Sequence, residues 1–377
     1  MTSAPLIKGW CPGALRPMMS GDGLIVRVRP PLGRLDPQQA AGIAALAARC
    51  GNGIIDLSNR ANVQLRGVVA DRYDTLIDGL RGLGLIDPDA TVESRRNILI
   101  TPFRREDDVS ERLAADLATA LAGADAPDVS PKFGYAIDAG ATPVLQSAPA
   151  DIRLERCADG ELLLCAADYP LGKPVPRAVA VLQMLGLARW SLGHAARMSR
   201  LLAGGTSLPP GFAAQRQPAT PSPQPGLYPA GALVATAFGQ IDAATLTALA
   251  GLGALRVTPW RMLLIEGAVA LPTLPSLICD PADPVLRVVA CVGAPGCTQG
   301  HAATRPLARA LAQHVPPGQI LHVSGCAKGC AMPTAASVTL TATPAGFDLI
   351  RNATADAAPV HTGLRANDLP TYLQKAH

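Results

Sequence analysis

Four of the nine cysteines fall in two short loops of small residues: Cys291 and Cys297 in CVGAPGC, and Cys326 and Cys330 in SGCAKGC. The spacings are C-x5-C and C-x3-C, each following an apolar run, LRVVA and LHV. Two such loops at the ends of neighbouring strands can bring four thiolates to one place, and sulfur ligation of that kind selects zinc or iron–sulfur. Structural zinc takes its cysteines from knuckles with about two to four residues between them, so the longer gap suits it poorly. A cubane is wider and needs backbone amides near its sulfides. Gly293, Ala294, Gly296, Gly325, Ala327 and Gly329 leave that room, and Lys328 offsets negative charge. A [4Fe-4S] cluster on Cys291, Cys297, Cys326 and Cys330 is the expectation, with zinc and unligated thiols as alternatives. Four thiolates complete a cubane, so substrate chemistry belongs beside it and the cluster would carry electrons.

A second set of residues is basic. NRANVQLR places Arg60 at a turn and Arg66 on the strand after it, ESRRNILI supplies Arg95 and Arg96, and PKFGYAI supplies Lys132. Guanidinium forks suit a polycarboxylate. Singly, each basic residue also suits a solvated surface; Asn59 and Asn62 offer polar contacts and suit turn formation equally well. A mononuclear non-haem iron usually takes two histidines and a carboxylate. The histidines are His194, His301, His314, His322, His361 and His377, of which His301 and His322 lie nearest the cysteine loops. His322, inside the strand entering SGC, is expected to pack or orient rather than to ligate. No G-x-G-x-x-G opens a helix after a strand and no P-loop occurs, so NADH would act only through a separate reductase.

The elements that must position these groups read as α/β. LIVRVR (24–29) alternates as a strand, and DPQQAAGIAALAARC (36–50) reads as a helix capped by Asp36, with Pro37 in its first turn. IIDLSNRANVQLRG (54–67) is a pair of short strands, YDTLIDGLRGLG (73–84) a helix, RRNILITPF (95–103) a strand and SERLAADLATALAG (110–123) a helix. DIRLERCADGELLLCAAD forms a hairpin turning at Asp159-Gly160, where Cys157 and Cys165 suit packing. Residues 203–229, rich in Pro, Ser, Gly and Gln, read as a linker. Beyond them the first unit recurs. Gly53–Gly67 matches Gly253–Gly267, each a strand, an arginine-bearing turn and a strand closing on glycine, which implies two similar halves around a shared centre.

The expected domains are 10–90, a first half domain; 91–202, an α/β cofactor domain; the linker 203–229; 230–275, a shorter second half domain; and 276–377, the cluster domain. A net charge of +4, with no basic block interleaved with aromatics, predicts no nucleic-acid partner. MTSAPLIKGWCPG has no apolar core of an export signal, and no run of about 18 apolar residues follows, so the expectation is a cytoplasmic protein with no membrane partner.

CVGAPGC with HVSGCAKGC resembles the cluster-binding signature of the sulfite and nitrite reductase family, and LSNRANVQLRG, RRNILITPF and SPKFGYAIDAG resemble its other motifs. The resemblance runs over roughly residues 10–150 and 225–345. It implies duplicated ferredoxin-like half domains with pseudo-twofold symmetry plus mixed-sheet cofactor-binding domains. CPGALRPMMSGDGLIVRVRPP and the NRAN turn look like the family's oxygen-using branch in aerobic cobalamin biosynthesis, where the reductases show Thr-Arg-Gln instead. The reductases match Arg60, Arg96 and Lys132, but Gly134 stands where they carry a second lysine, which argues against sulfite or nitrite as substrate. The resemblance therefore implies a monooxygenase that converts precorrin-3A to precorrin-3B with O2. The implied cofactors are a [4Fe-4S] cluster and a mononuclear non-haem iron, without sirohaem, and the electrons come from NADH through a separate reductase. Arg60, Arg66, Arg96, Lys132 and Asn62 would hold the tetrapyrrole's carboxylates. A sirohaem-dependent reductase and a non-catalytic, metal-stabilised module are the competing readings.

Overall fold

A computed structural model describes residues 11–106, 108–194 and 197–374. His377 and the stretch MTSAPLIKGW lie outside them. Met18–Ser20 (β1) and Gly23–Val28 (β2) form a hairpin, followed by the short Arg34–Leu35 (β3). Asp36 then starts Pro37–Cys50 (α1) through a full capping box: its carboxylate accepts from Gln39 N at 2.7 Å while the Gln39 side chain accepts from Asp36 N at 3.0 Å. Ile54–Leu57 (β4) and Val63–Val68 (β5) pair antiparallel, and Tyr73–Gly82 (α2) packs on α1.

Residues 95–103 are not one strand. Asp89 caps a short helix, Ala90–Arg95 (α3), by accepting from Thr91 N and Val92 N, so Arg95 ends a helix and only Ile98–Ile100 (β6) is extended. Val109–Ala122 (α4), Tyr135–Asp138 (β7), Ile152–Arg156 (β8), Leu162–Ala166 (β9), Leu171–Pro174 (β10), Ala180–Leu192 (α5) and Met198–Ala203 (α6) complete the second unit. The Asp159-Gly160 hairpin joins β8 to β9 as its turn chemistry predicts.

Residues 203–229 are a packed strap rather than a linker. Ala214–Gln215 (β11) pairs with β10, and Arg216 makes a 2.7 Å ion pair with buried Glu155. Gln217 donates to the carbonyls of Ala141 and Arg156, and Thr220 to that of Pro143. Polar side chains satisfy the backbone of the sheet they cross, so a segment with no core of its own is still ordered.

Gly226–Tyr228 (β12), Gly231–Thr236 (β13), Gln240–Asp242 (β14), Ala243–Ala250 (α7), Leu255–Val257 (β15) and Met262–Glu266 (β16) repeat the first unit, and Leu277–Ile278 (β17) pairs with β13. Val288–Ala290 (β18), Thr304–Leu311 (α8), Leu321–Ser324 (β19), Ala336–Thr343 (β20), Gly346–Ala353 (β21), His361–Leu364 (β22) and Leu369–Gln374 (α9) close the chain.

Among the described residues the strands make four sheets, ordered β1-β2-β5-β4-β14, β11-β10-β9-β8-β7-β6, β12-β13-β16-β15-β3 and β18-β19-β20-β21-β22. The two five-stranded sheets of the repeat exchange edges. β14 of the second half closes the first sheet, with Ile241 opposite Ile55, and β3 of the first half closes the second, with Leu35 opposite Leu255. α1 and α7 pack together and one apolar core runs through both halves. The fold is thus a duplicated α/β half domain with pseudo-twofold symmetry, flanked by two mixed sheets. No helix of the described residues is long and apolar enough to cross a membrane.

Candidate functional site: two cysteine loops beside an arginine face

β18 and β19 are parallel neighbours, so the loops leaving their ends lie side by side. Cys291 and Cys297 occupy the first, Cys326 and Cys330 the second, and all four are free thiols. The loops are stitched together by His301 N donating to the Gly325 carbonyl at 2.8 Å and Gly325 N donating to Cys291 Sγ at 3.1 Å. A side chain at Gly325 would reach 3.1 Å from Gly293 Cα and 3.4 Å from Cys291 Sγ, so the close approach requires glycine there. Burial pushes the Cys330 thiol up, the Lys328 ammonium opposes that, and the other three thiols each act on it. Among the described residues no three Cys, His, Asp or Glu side chains close on a single metal ion. The donor set of four grouped thiols with an amide aimed at sulfur fits an iron–sulfur cluster, which is wider than one ion.

The carbonyl of Gly296 anchors the first cysteine loop to the first half domain. It accepts from Ser20 Oγ at 2.6 Å, Gly21 N at 3.3 Å and Arg66 Nη2 at 3.0 Å. Arg66 also grips Asp22 through two bonds of 3.0 and 2.9 Å and stands 3.5 Å from Asp56, at 3% exposure. Arg66 therefore ties the first cysteine loop to the first half domain. Its donors go to two carboxylates of its own half and to a carbonyl of the cysteine loop, 230 residues away, which a strand-internal arginine meets only in the folded chain.

The two repeat turns do not carry equivalent arginines. Ser58 Oγ accepts from the N–H groups of Arg60 and Asn62, and Ala61 takes φ 53°. In the second turn Arg261 takes φ 61°, so it matches Ala61, and Trp260 matches Arg60. The one-residue offset sends Arg261 to the second cysteine loop, where its Nη2 donates to the Ala331 carbonyl at 2.9 Å. Arg60 instead crosses to β7's entry loop and donates to the Lys132 carbonyl at 2.7 Å. Burial lowers its pKa, and Arg197 lowers it further.

Arg96 makes a fork to Asp87 at 2.7 and 2.8 Å and donates to the Arg29 carbonyl. Arg95 pairs with exposed Asp128 at 3.5 Å. A small cleft is lined by Arg29, Leu32, Ala61, Asn62, Arg96 and Ile98. Arg29, 4% exposed, has its Nη1 without a hydrogen bond, 3.6 Å from Glu93, and burial holds its pKa down at about 10. Glu93 in turn accepts from Ala14 N and Leu15 N, which holds the loop after Cys11 against α3. The Arg27 guanidinium bonds to Cys11 and to Gln64.

Sequence reasoning passed over Arg27, Arg29 and Arg197. The first two had a signal: arginines two apart in the apolar run LIVRVR share one face of a strand whose neighbours are buried. His322 is fully buried in β19 with neither ring nitrogen partnered, its Cε1 facing the Gly329 turn, and burial depresses its pKa to about 4. His301 reaches the loops through its backbone.

Residues 16–83 match the family described as nitrite/sulfite reductase ferredoxin-like half domain. Over 95% of the chain and 86% of the relative, the sequence is 28% identical to a precorrin-3B synthase from a Sinorhizobium species. The fold is similar to that of the NirA protein of Mycobacterium tuberculosis, with a TM-score of 0.63 at 15% identity, covering 93% of this chain and 80% of that one. Residues 16–83 thus match the nitrite/sulfite reductase ferredoxin-like half domain, and along nearly its whole length the chain is similar to a precorrin-3B synthase and shares the fold of NirA.

Proposed function

We propose that the protein is a precorrin-3B synthase, a monooxygenase that hydroxylates precorrin-3A at C20 and closes an acetate side chain as a γ-lactone in aerobic cobalamin biosynthesis. The observation that carries the reading is that the two cysteine loops, whose thiols act on one another, are tied to the two half domains by arginines, Arg66 on the Gly296 carbonyl and Arg261 on that of Ala331, which supports an electron-carrying centre beside a basic half-domain surface. The relationship along nearly the whole chain to a precorrin-3B synthase supports it.

Cys291, Cys297, Cys326 and Cys330 would hold a [4Fe-4S] cluster. When bound, the cluster supplies electrons one at a time and a mononuclear non-haem iron supplies oxygen activation. The electrons derive from NADH through a separate reductase. Arg60 and Lys132 bind the substrate's acetate and propionate groups, while Arg96, locked by Asp87, and Asn62 shape the cleft beside the turn. Charge-assisted contacts at several rim carboxylates fix the ring in one orientation, so one meso carbon faces the oxidant. These residues bind and orient; none is placed to move a proton.

Gly134 favours this reading over a small-anion reductase. A Cβ at 134 would stand 3.2 Å from Arg60 Nη1 and 3.3 Å from the Pro149 carbonyl, so a larger side chain there would crowd the guanidinium, and the second lysine that suits a small anion is missing. The test is anaerobic purification followed by iron and acid-labile sulfide analysis with a visible spectrum. About four sulfides per chain, additional iron and no haem bands are expected. Sirohaem bands would assign the protein to the reductases.

A further inference from the structure

Resting on the function just proposed, we infer that Arg60 and Arg197 form a two-guanidinium clasp for one carboxylate of the tetrapyrrole, a site framed by Gly134 and Asp151. Asp151, 1% exposed, is spent on the frame. One oxygen accepts from Gly134 N at 2.9 Å; the other accepts from Arg197 Nε at 2.6 Å and Met198 N at 3.1 Å. Arg197 is therefore held by its Nε, and its side chain remains 29% exposed with both Nη atoms unpaired among the described residues. From the other side, Arg60 lies over Gly134 with Nη2 on a neutral carbonyl and no carboxylate partner. The two side chains come from parts of the chain far apart in sequence and meet around one glycine.

The local charge does not balance. Arg60, Arg197, Arg27 and Arg29 bring four guanidiniums against two carboxylates, Asp151 beside Arg60 and Arg197 and Glu93 beside Arg27 and Arg29, while the Arg27 guanidinium donates to the neutral Gln64. Mutual repulsion among half-buried cations is costly unless an anion enters. Two guanidinium forks on either side of Gly134 suit a planar carboxylate.

The experiment is equilibrium dialysis of uroporphyrin III, an octacarboxylate porphyrin, against the anaerobically purified protein with its metal content intact. The variants are Arg60→Ala, Arg197→Lys, Arg197→Ala and the pair Arg60→Ala with Arg197→Lys. Arg197→Lys keeps a cation for Asp151 while removing the fork, so it stays informative where Arg197→Ala fails to fold. Each single change should raise the Kd about 10-fold or more. The double variant should lose less than the product of the two, because both arginines hold the same group. Unchanged affinity in Arg197→Lys alongside weakened binding in Arg60→Ala would overturn the clasp and leave the proposed function standing. Fully multiplicative losses would also overturn it, by placing the arginines on separate carboxylates. No uroporphyrin binding by the wild type would overturn both.

Discussion

Arg66 illustrates how a residue's role follows from what its donors have already met. Replacing it with Met removes the cation from partly buried Asp22 and releases the Gly296 carbonyl, while Asp56 keeps Arg305 at 2.9 Å. The expected cost is about 3–5 kcal/mol in urea unfolding, with uroporphyrin affinity of the folded protein unchanged. Altered affinity at unchanged stability would return Arg66 to the binding face. His322 makes a pH prediction. Its folded pKa lies near 4 against an ordinary 6.5, so below pH 6.5 the unfolded chain takes up a proton that the folded one refuses. Stability is therefore fully present above 6.5 and drains away as pH falls toward 4, by about 3 kcal/mol. Unfolding midpoints at pH 7 and pH 5 should converge in His322→Leu, and equal slopes in both proteins would assign the effect to other groups. At the cysteines, Cys326→Ser or Cys330→Ser should abolish labile sulfide, whereas full iron and sulfide content would remove that residue from the ligand set.

Among the elements, the turn between β1 and β2 matters most to the cysteine loops. A Cβ on Gly21 would run into the Pro295 carbonyl, backbone against backbone, with no flexible side chain to give way. Gly21→Ala should thus displace the Cys291–Cys297 loop and lower iron content while leaving the α1 region intact by hydrogen exchange. Normal iron content would mean the loop can shift without losing its ligands. The helices are simpler. Asp36 and Asp242 cap α1 and α7 at corresponding places in the two halves, each accepting from the N3 amide at 2.7 Å. Asp36→Ala should cost about 1 kcal/mol, measured as a shift in unfolding midpoint with no change at the site.

Across the whole molecule, the halves are interlocked rather than adjacent. Each sheet takes an edge strand from the other, and the cross-strand ion pair recurs with its signs exchanged: Asp56 with Arg66 in the first half, Arg256 with Glu266 in the second. The first pair straps the half to the Gly296 carbonyl, the second to the carbonyls of Pro102 and Arg104, so one motif serves two different neighbours. A fragment ending at residue 229 lacks β14 and exposes the β4 edge with half of the shared core. Expressed alone it should aggregate, while co-expression with 230–377 should restore a soluble complex, as judged by gel filtration.

The local signals were strong enough to place α1, α2, α4, the hairpin at Asp159-Gly160, the repeat and the four grouped cysteines, because each depends on periodicity, capping or spacing within a short window. The resemblance read from the cysteine and NRAN motifs agrees with the half-domain match and the precorrin-3B synthase relative. What the chain's linear order could not carry was partnership. Whether an arginine binds a ligand or a carboxylate of its own chain depends on side chains brought near it from far away in sequence: Asp22 and Gly296 for Arg66, Asp87 for Arg96, Asp151 for Arg197. Residues 203–229 became a strap, and Arg261 parted from Arg60, for the same reason. A polar side chain's function is set by the unpaired groups it meets, and folding decides which groups those are.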